Sequence, residues 1–287
     1  THMLNRRGRI ELETTVVKLA EDRFYLVCAA FFEQRLLDHL TQNKGDENAD
    51  IILRSNDWAA ITLNGPKARD VLSKCTDADL TNAGFRWLTA QEITVAGHKI
   101  WAFRMSYAGE LGWEFHIPRD HALTVYDALW AAGEAHGITD YGSFAMNALR
   151  MEKMFKGAGE LTNEVTLPEA DVMRFAKLDK DYLGVDPTRA SAEAPELPWI
   201  CAYMEIEPDG IEDGHGGEAV MYKGEVVGST ASVAYAHTYG KILAFAYIKP
   251  YDNVPGAEIE VIVAGEPRKG RILDAPVYDP ESLLPRT

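Results

Sequence analysis

Long apolar runs are missing from this sequence. None of its 287 residues lies in a stretch approaching the roughly 20 consecutive apolar positions of a membrane-spanning helix, and no signal-peptide-like apolar segment stands at the N-terminus. The chain is therefore expected in the cytoplasm, or in the mitochondrial matrix if it is eukaryotic. Basic residues are short too: 29 Lys and Arg stand against 44 Asp and Glu, a net charge of -15. That balance argues against a nucleic-acid or anionic-membrane surface, since both reward a basic face. Cysteine is scarce. Cys28, Cys75 and Cys201 are odd in number, far apart and without CxxC or Cys/His spacing, so they read as buried or half-buried thiols and not as a metal site. GxSxG, GxxxxGK[ST] and HExxH are also absent, which removes sequence support for nucleophilic catalysis and nucleotide hydrolysis.

The composition, 46% apolar and 25% charged, is that of a folded globular chain long enough for one large domain or two ordinary ones. Thr1-His2-Met3 resembles a vector remnant with an added start and is set aside. Ile10 to Val17 and Phe24 to Ala29 read as a hairpin, with β-branched Thr14 to Val17 on the first strand. Phe32 to Gln42 has helical spacing. Ile51 to Leu53 and Trp58 to Leu63 read as short strands, and Asn64-Gly65-Pro66 turns the chain into a helix over Lys67 to Lys74. Strands are expected at 80–85, 92–95 and 99–105. Asp120 to His136 is a clear amphipathic helix with Gly137 placed to cap it, and another helix follows from Ser143 to about Lys153.

Residues 184–198 carry three prolines and several small residues, and a linker is expected there. Beyond it the pattern becomes short alternating strands with Gly-rich turns, as in a small antiparallel barrel or Greek key. The sequence thus divides into 1–183, a linker at 184–198, and 199–287, and the fold class is α+β followed by a small β-barrel. DGHGGE at 213–218 could pass for a phosphate loop, but strand signals on both sides make it a β-turn. His215 and His237 are isolated polar groups.

SYAGELGWEFHIP, residues 106–118, is unusual for a strand because glycine weakens strands and marks a bulge or a close backbone approach. Tyr107 and Glu114 are seven apart, on opposite faces of a straight strand; both serve one pocket only if the Gly109 to Gly112 bend reverses the alternation. Together with Glu110, and with Arg150 and Glu152 on the later helix, they could line a pocket for a planar ligand with N–H donors. A β-bulge with surface carboxylates explains the same residues.

With MLNRRGRIELETTV at 3–16, NGPKARDVL at 64–72, ALRMEKMFKGAGEL at 148–161 and AYAHTYGKILAFAYI at 234–248, this segment resembles the tetrahydrofolate-binding half of dimethylglycine and sarcosine dehydrogenases. That half is itself similar to the aminomethyltransferase, or T-protein, of the glycine cleavage system. The resemblance implies a T-protein-like domain followed by a barrel. It also implies that Tyr107 and Glu114 bind the pterin, that Arg150 holds the pocket or the folate tail, and that Glu13 takes the place of the acid that assists one-carbon transfer. Tetrahydrofolate is the implied cofactor, with FAD only in a separate or missing N-terminal domain.

Three departures accompany the resemblance. Glu13 stands where the family usually has Asp, which adds one methylene, roughly 1.5 Å of reach. Asp171 stands where it usually has glycine. The family domain normally begins about a hundred residues before Met3, so the folate domain is expected to be incomplete at its N-terminus and to lack one wall of its site. The related iron-sulfur-repair branch uses a K-G-C segment; Lys156-Gly157-Ala158 stands here instead. The implied function is one-carbon transfer by the folate part of a demethylase that forms 5,10-methylenetetrahydrofolate from an N-methyl amine, with a flavin-containing dehydrogenase domain or subunit as partner. The alternatives are a stand-alone folate-dependent methyltransferase, demethylase or aminomethyltransferase with another methyl donor, or a non-catalytic folate-binding subunit.

Overall fold

The computed structural model describes residues 1–209 and 214–287. In chain order its first elements are β1 (His2–Leu4), β2 (Ile10–Glu13), β3 (Thr15–Ala20), β4 (Arg23–Val27), α1 (Glu33–Asn43), β5 (Trp58–Asn64), α2 (Ala68–Leu72), β6 (Ala90–Val95), β7 (His98–Phe103) and β8 (Gly112–Pro118). Then come α3 (Ala122–Gly133), α4 (Ser143–Glu152), α5 (Val185–Ala192), β9 (Ile200–Ile206), β10 (Ala219–Tyr222), β11 (Glu225–Ala236), β12 (Lys241–Ile248), β13 (Glu258–Val263) and β14 (Glu266–Leu273). They pack as two compact units. One holds Thr1–Ala49 and Met154–Tyr278, the other Asp50–Lys153 and Asp279–Thr287. Compact packing and the sequence segments 1–183 and 199–287 divide the chain differently. Among the described residues no helix is long and apolar enough to cross a membrane.

In the first unit, strands in the order β10-β11-β12-β9-β14-β13 close into an antiparallel barrel, and the closing pair includes Val220 opposite Val261. Period-two alternation fills it: Ala202, Met204 and Ile206 of β9 share the interior with Ile242, Ala244, Ala246 and Ile248 of β12. Closure leaves these strands no open edge. The turn into β10 is held by Glu218, whose carboxylate accepts the backbone N–H groups of His215 at 2.6 Å and Gly216 at 3.0 Å. Asp213, the first residue of DGHGGE, lies outside the described residues.

Two expectations change here. The hairpin is β3–β4, with Thr15 opposite Val27, whereas Ile10–Glu13 pairs with His2–Leu4. The first residues therefore belong to the fold. Within 184–198, Val185–Ala192 is a helix and not a linker: Pro187 falls in its first turn, where its missing N–H costs nothing, and Val185 and Thr188 are buried.

In the second unit, an antiparallel sheet in the order β5-β8-β7-β6 buries one face against α2 and α3. Trp113, Phe115 and Ile117 of β8 alternate into this core with Leu72, Phe85, Ile100, Val125 and Leu129. Burying a side chain such as Phe115 or Ile117 stabilises by about 1.5–3 kcal/mol. Gly137, at φ +73°, ends the helical run after α3, as the sequence leads one to expect. Residues 80–85 form turns instead of a strand: Asp79 caps the Thr81 N–H at 2.9 Å, and Leu80 and Phe85 are buried without strand pairing. Ile51 to Leu53 is not a strand either, and all three side chains are exposed.

Residues 279–287 return to this second unit. Arg104 Nη2 donates to the Thr287 carbonyl at 2.8 Å, and Asn82 Nδ2 to the Arg286 carbonyl at 2.9 Å.

Candidate functional site

Both glycines of GELG answer to close contacts. Gly109 has φ +82°, and a Cβ there would fall inside the van der Waals shell of Lys153 Cγ and Cδ. At Gly112 a Cβ would collide with the Leu63 carbonyl and the Asn64 side chain across the β5–β8 pairing. The loop is also tied by Gly65 N–H donating to the Leu111 carbonyl at 2.9 Å. Ala108, Gly109 and Leu111 are buried while Tyr107 is 41% exposed, so a fixed loop presents the tyrosine. β8 begins only at Gly112. Tyr107 thus lies ahead of the strand, and no reversal of strand alternation operates between 107 and 114.

Glu114 and His116, two residues apart, share the sheet face opposite Trp113, Phe115 and Ile117. Glu114 Oε1 lies 2.7 Å from His116 Nε2; the glutamate side chain is 25% exposed and the histidine 4%. The Phe103 ring packs on the imidazole with centroids 4.5 Å apart. Thr62 stands opposite Glu114 on β5, and its Oγ1 lies 3.1 Å from the Tyr141 hydroxyl, which also accepts Asn64 Nδ2 at 2.7 Å. A carboxylate steered by a buried imidazole and open on its other side can accept N–H donors from a planar ligand edge. His116 was not singled out in the sequence. Its signal was the spacing of two from Glu114 within an otherwise apolar strand.

Arg150 and Glu152 lie on α4 and are both buried, and Arg150 Nε donates to Asn147 Oδ1 at 2.9 Å. Tyr107, Glu110, Glu114, Arg150 and Glu152 all belong to the second unit, whereas Glu13 ends β2 in the first. Glu13 reaches solvent from a crowded setting. Desolvation holds its carboxyl above the usual carboxylate range, opposed by the Thr1 ammonium and assisted by Glu160.

Asp171 has φ +53°, a left-handed conformation that glycine adopts without strain and that aspartate tolerates better than most residues. Asp171 Oδ2 also pairs with the largely buried Lys156 ammonium at 3.3 Å. The departure from glycine thus keeps the turn and adds an ion pair. Close by, desolvation pushes the buried Cys201 thiol up to about 12, which leaves it protonated and unreactive at neutral pH.

Two family models cover most of the sequence: the GCVT N-terminal domain over residues 1–180 and the glycine cleavage T-protein C-terminal barrel domain over residues 202–279. The chain belongs to the glycine cleavage T-protein family. Among curated relatives it is 33% identical over 283 residues to the mitochondrial dimethylglycine dehydrogenase of Mus musculus, covering 96% of this chain and 32% of that protein. To a probable aminomethyltransferase of Thermococcus kodakarensis it is 27% identical, covering 98% of this chain and 77% of the relative. The chain therefore spans about a third of the dehydrogenase and most of the aminomethyltransferase. The crystal structure of the glycine cleavage aminomethyltransferase T from Bartonella henselae superposes with a TM-score of 0.84 at 21% identity, over 97% of this chain and 75% of that one, and shares the fold.

Proposed function

We propose that this chain is the tetrahydrofolate-binding part of a demethylase that passes a one-carbon unit from an N-methyl amine to tetrahydrofolate, giving 5,10-methylenetetrahydrofolate. The observation that carries this reading is Glu114, a carboxylate partly open to solvent and steered by His116 from a rigid strand. An aminopyrimidine edge presents two N–H donors at the spacing of two carboxylate oxygens, so the residues present fit a pterin. The exposed ring of Tyr107 offers a face and a hydroxyl to the same kind of planar group.

When bound, tetrahydrofolate supplies the nitrogens that take up the carbon. The chain's own work is to hold the pterin by Glu114 and Tyr107, to keep the surrounding wall in shape through buried Arg150, and to manage a proton at Glu13. A carboxyl that desolvation holds above the usual carboxylate range suits that last role. No covalent enzyme intermediate enters this scheme. The oxidation that generates the one-carbon unit calls for a flavin-containing domain or subunit beyond this chain, in keeping with the greater length of the dehydrogenase relative. The aminomethyltransferase relative, most of which this chain matches, favours as a second reading an aminomethyltransferase with another methyl donor.

The proposal is tested by comparing tetrahydrofolate with its 2-desamino analogue in equilibrium titrations. Loss of the 2-amino donor is expected to weaken binding about tenfold or more, the equivalent of one charge-assisted hydrogen bond. Equal affinities would remove Glu114 from pterin recognition.

A further inference from the structure

Lys153 is an expensive residue to bury. Its side chain is fully enclosed, and an enclosed ammonium is tolerated only where partners meet it. Asp279, from the far end of the sequence, is one such partner. Lys153 Nζ lies 3.1 Å from Asp279 Oδ2, 126 positions away, and also donates to the Asp279 backbone carbonyl. Asp279 is itself fixed: Oδ1 accepts the Leu283 N–H at 2.9 Å and Oδ2 the Leu284 N–H at 3.1 Å. Beyond it, Arg69, Asn82 and Arg104 hold the carbonyls of the last two residues.

The methylene stem of the same lysine is the floor on which Gly109 rests, with no space for a Cβ between them. One side chain therefore touches the Tyr107 loop along its length and the C-terminal segment at its tip. A methionine would fill the same volume without the desolvation cost, but it would not specify which way the stem lies.

We propose that Lys153 and Asp279 act as a latch that positions the Tyr107 loop, so that residues 279–287 are part of the folate-binding machinery; the ligand in this statement rests on the folate reading above. Lys153 and Asp279 are positioning residues. They act on the ligand through Gly109 and the tyrosine that the loop presents.

The test uses the full chain with Asp279→Ala, Asp279→Asn and Lys153→Met. Two quantities are read: amide hydrogen exchange at residues 108–111 without ligand, and affinity for 5-formyltetrahydrofolate. Asp279→Ala and Lys153→Met are each expected to speed loop exchange and raise the Kd about tenfold. Their combination should cost less than the sum of the two, because both break the Lys153 Nζ–Asp279 Oδ2 contact. Asp279→Asn, which keeps an acceptor for the lysine, is expected to fall between them and wild type, and it serves if a harsher variant fails to fold.

A lowered melting temperature with loop exchange and Kd at wild-type values would overturn the latch and leave a merely structural ion pair. Should wild type fail to bind the folate, the exchange measurement still decides. Faster exchange at 108–111 supports the latch while the folate reading falls, and unchanged exchange overturns the latch.

Discussion

Glu114 Oε1 and His116 Nε2 lie 2.7 Å apart on the face of β8 that points away from Trp113, Phe115 and Ile117. The strand's alternation thus does two jobs, anchoring itself through the aromatic face and presenting a steered carboxylate from the other.

Replacing that carboxylate by an amide removes the charge and turns one acceptor into a donor. Glu114→Gln is expected to weaken folate binding by about 1.5–3 kcal/mol while leaving the melting temperature close to wild type, because the side chain faces away from the core. Calorimetry beside a thermal scan checks both halves.

Glu13→Gln is expected to bind folate almost as well as wild type and to transfer the one-carbon unit more slowly. Desolvation raises the Glu13 carboxyl, so the wild-type rate should fall on the acid side with a midpoint above the usual carboxylate range, and the amide variant should lose that limb. The stability linkage has the opposite sense. A raised folded-state pKa favours folding when the group is protonated, and this contribution fades as pH climbs through the folded value. Equal rates and a flat profile in both proteins would return Glu13 to the status of a surface acid.

Asp171 separates backbone strain from ion pairing. Asp171→Ala keeps the left-handed strain at φ +53° and loses the Lys156 partner, whereas Asp171→Gly loses the partner but relaxes the backbone. The alanine variant should be less stable than the glycine variant by about 1–2 kcal/mol in denaturant unfolding. Equal stabilities would mean that this turn relaxes freely.

Acid should loosen the second unit through Asp279. Burial would raise its carboxyl, but the Leu283 and Leu284 amides and the Lys153 ammonium outweigh it and hold the group below its ordinary value. A depressed folded-state pKa contributes stability at pH above the unfolded value, lost as pH falls through the folded one. Asp279→Asn should therefore flatten the acid limb of the stability profile, measured by denaturant midpoints from neutral pH downward.

Much of this architecture was legible from local chemistry. The alternating barrel strands, the helix before Gly137 and the glycines of GELG each follow from period, cap or close approach within a few residues. The misreadings concern three segments. Leu80 and Phe85 are buried by turns, Ile51 to Leu53 has strand composition but no strand partner among the described residues, and Val185–Ala192 is a helix despite its proline. At 80–85 and 185–192 tertiary packing overrode composition, whereas Ile51 to Leu53 is exposed and takes no part in a sheet. His116 was within reach of a period-two argument. The Lys153–Asp279 pair was not, since nothing local links positions 126 apart.

The most direct test is calorimetric titration of the purified chain with 5-formyltetrahydrofolate, beside Tyr107→Phe and Glu114→Gln. The account predicts micromolar binding, about -8 kcal/mol, that weakens in both variants. Binding that is undetectable, or equally strong in all three proteins, would contradict it.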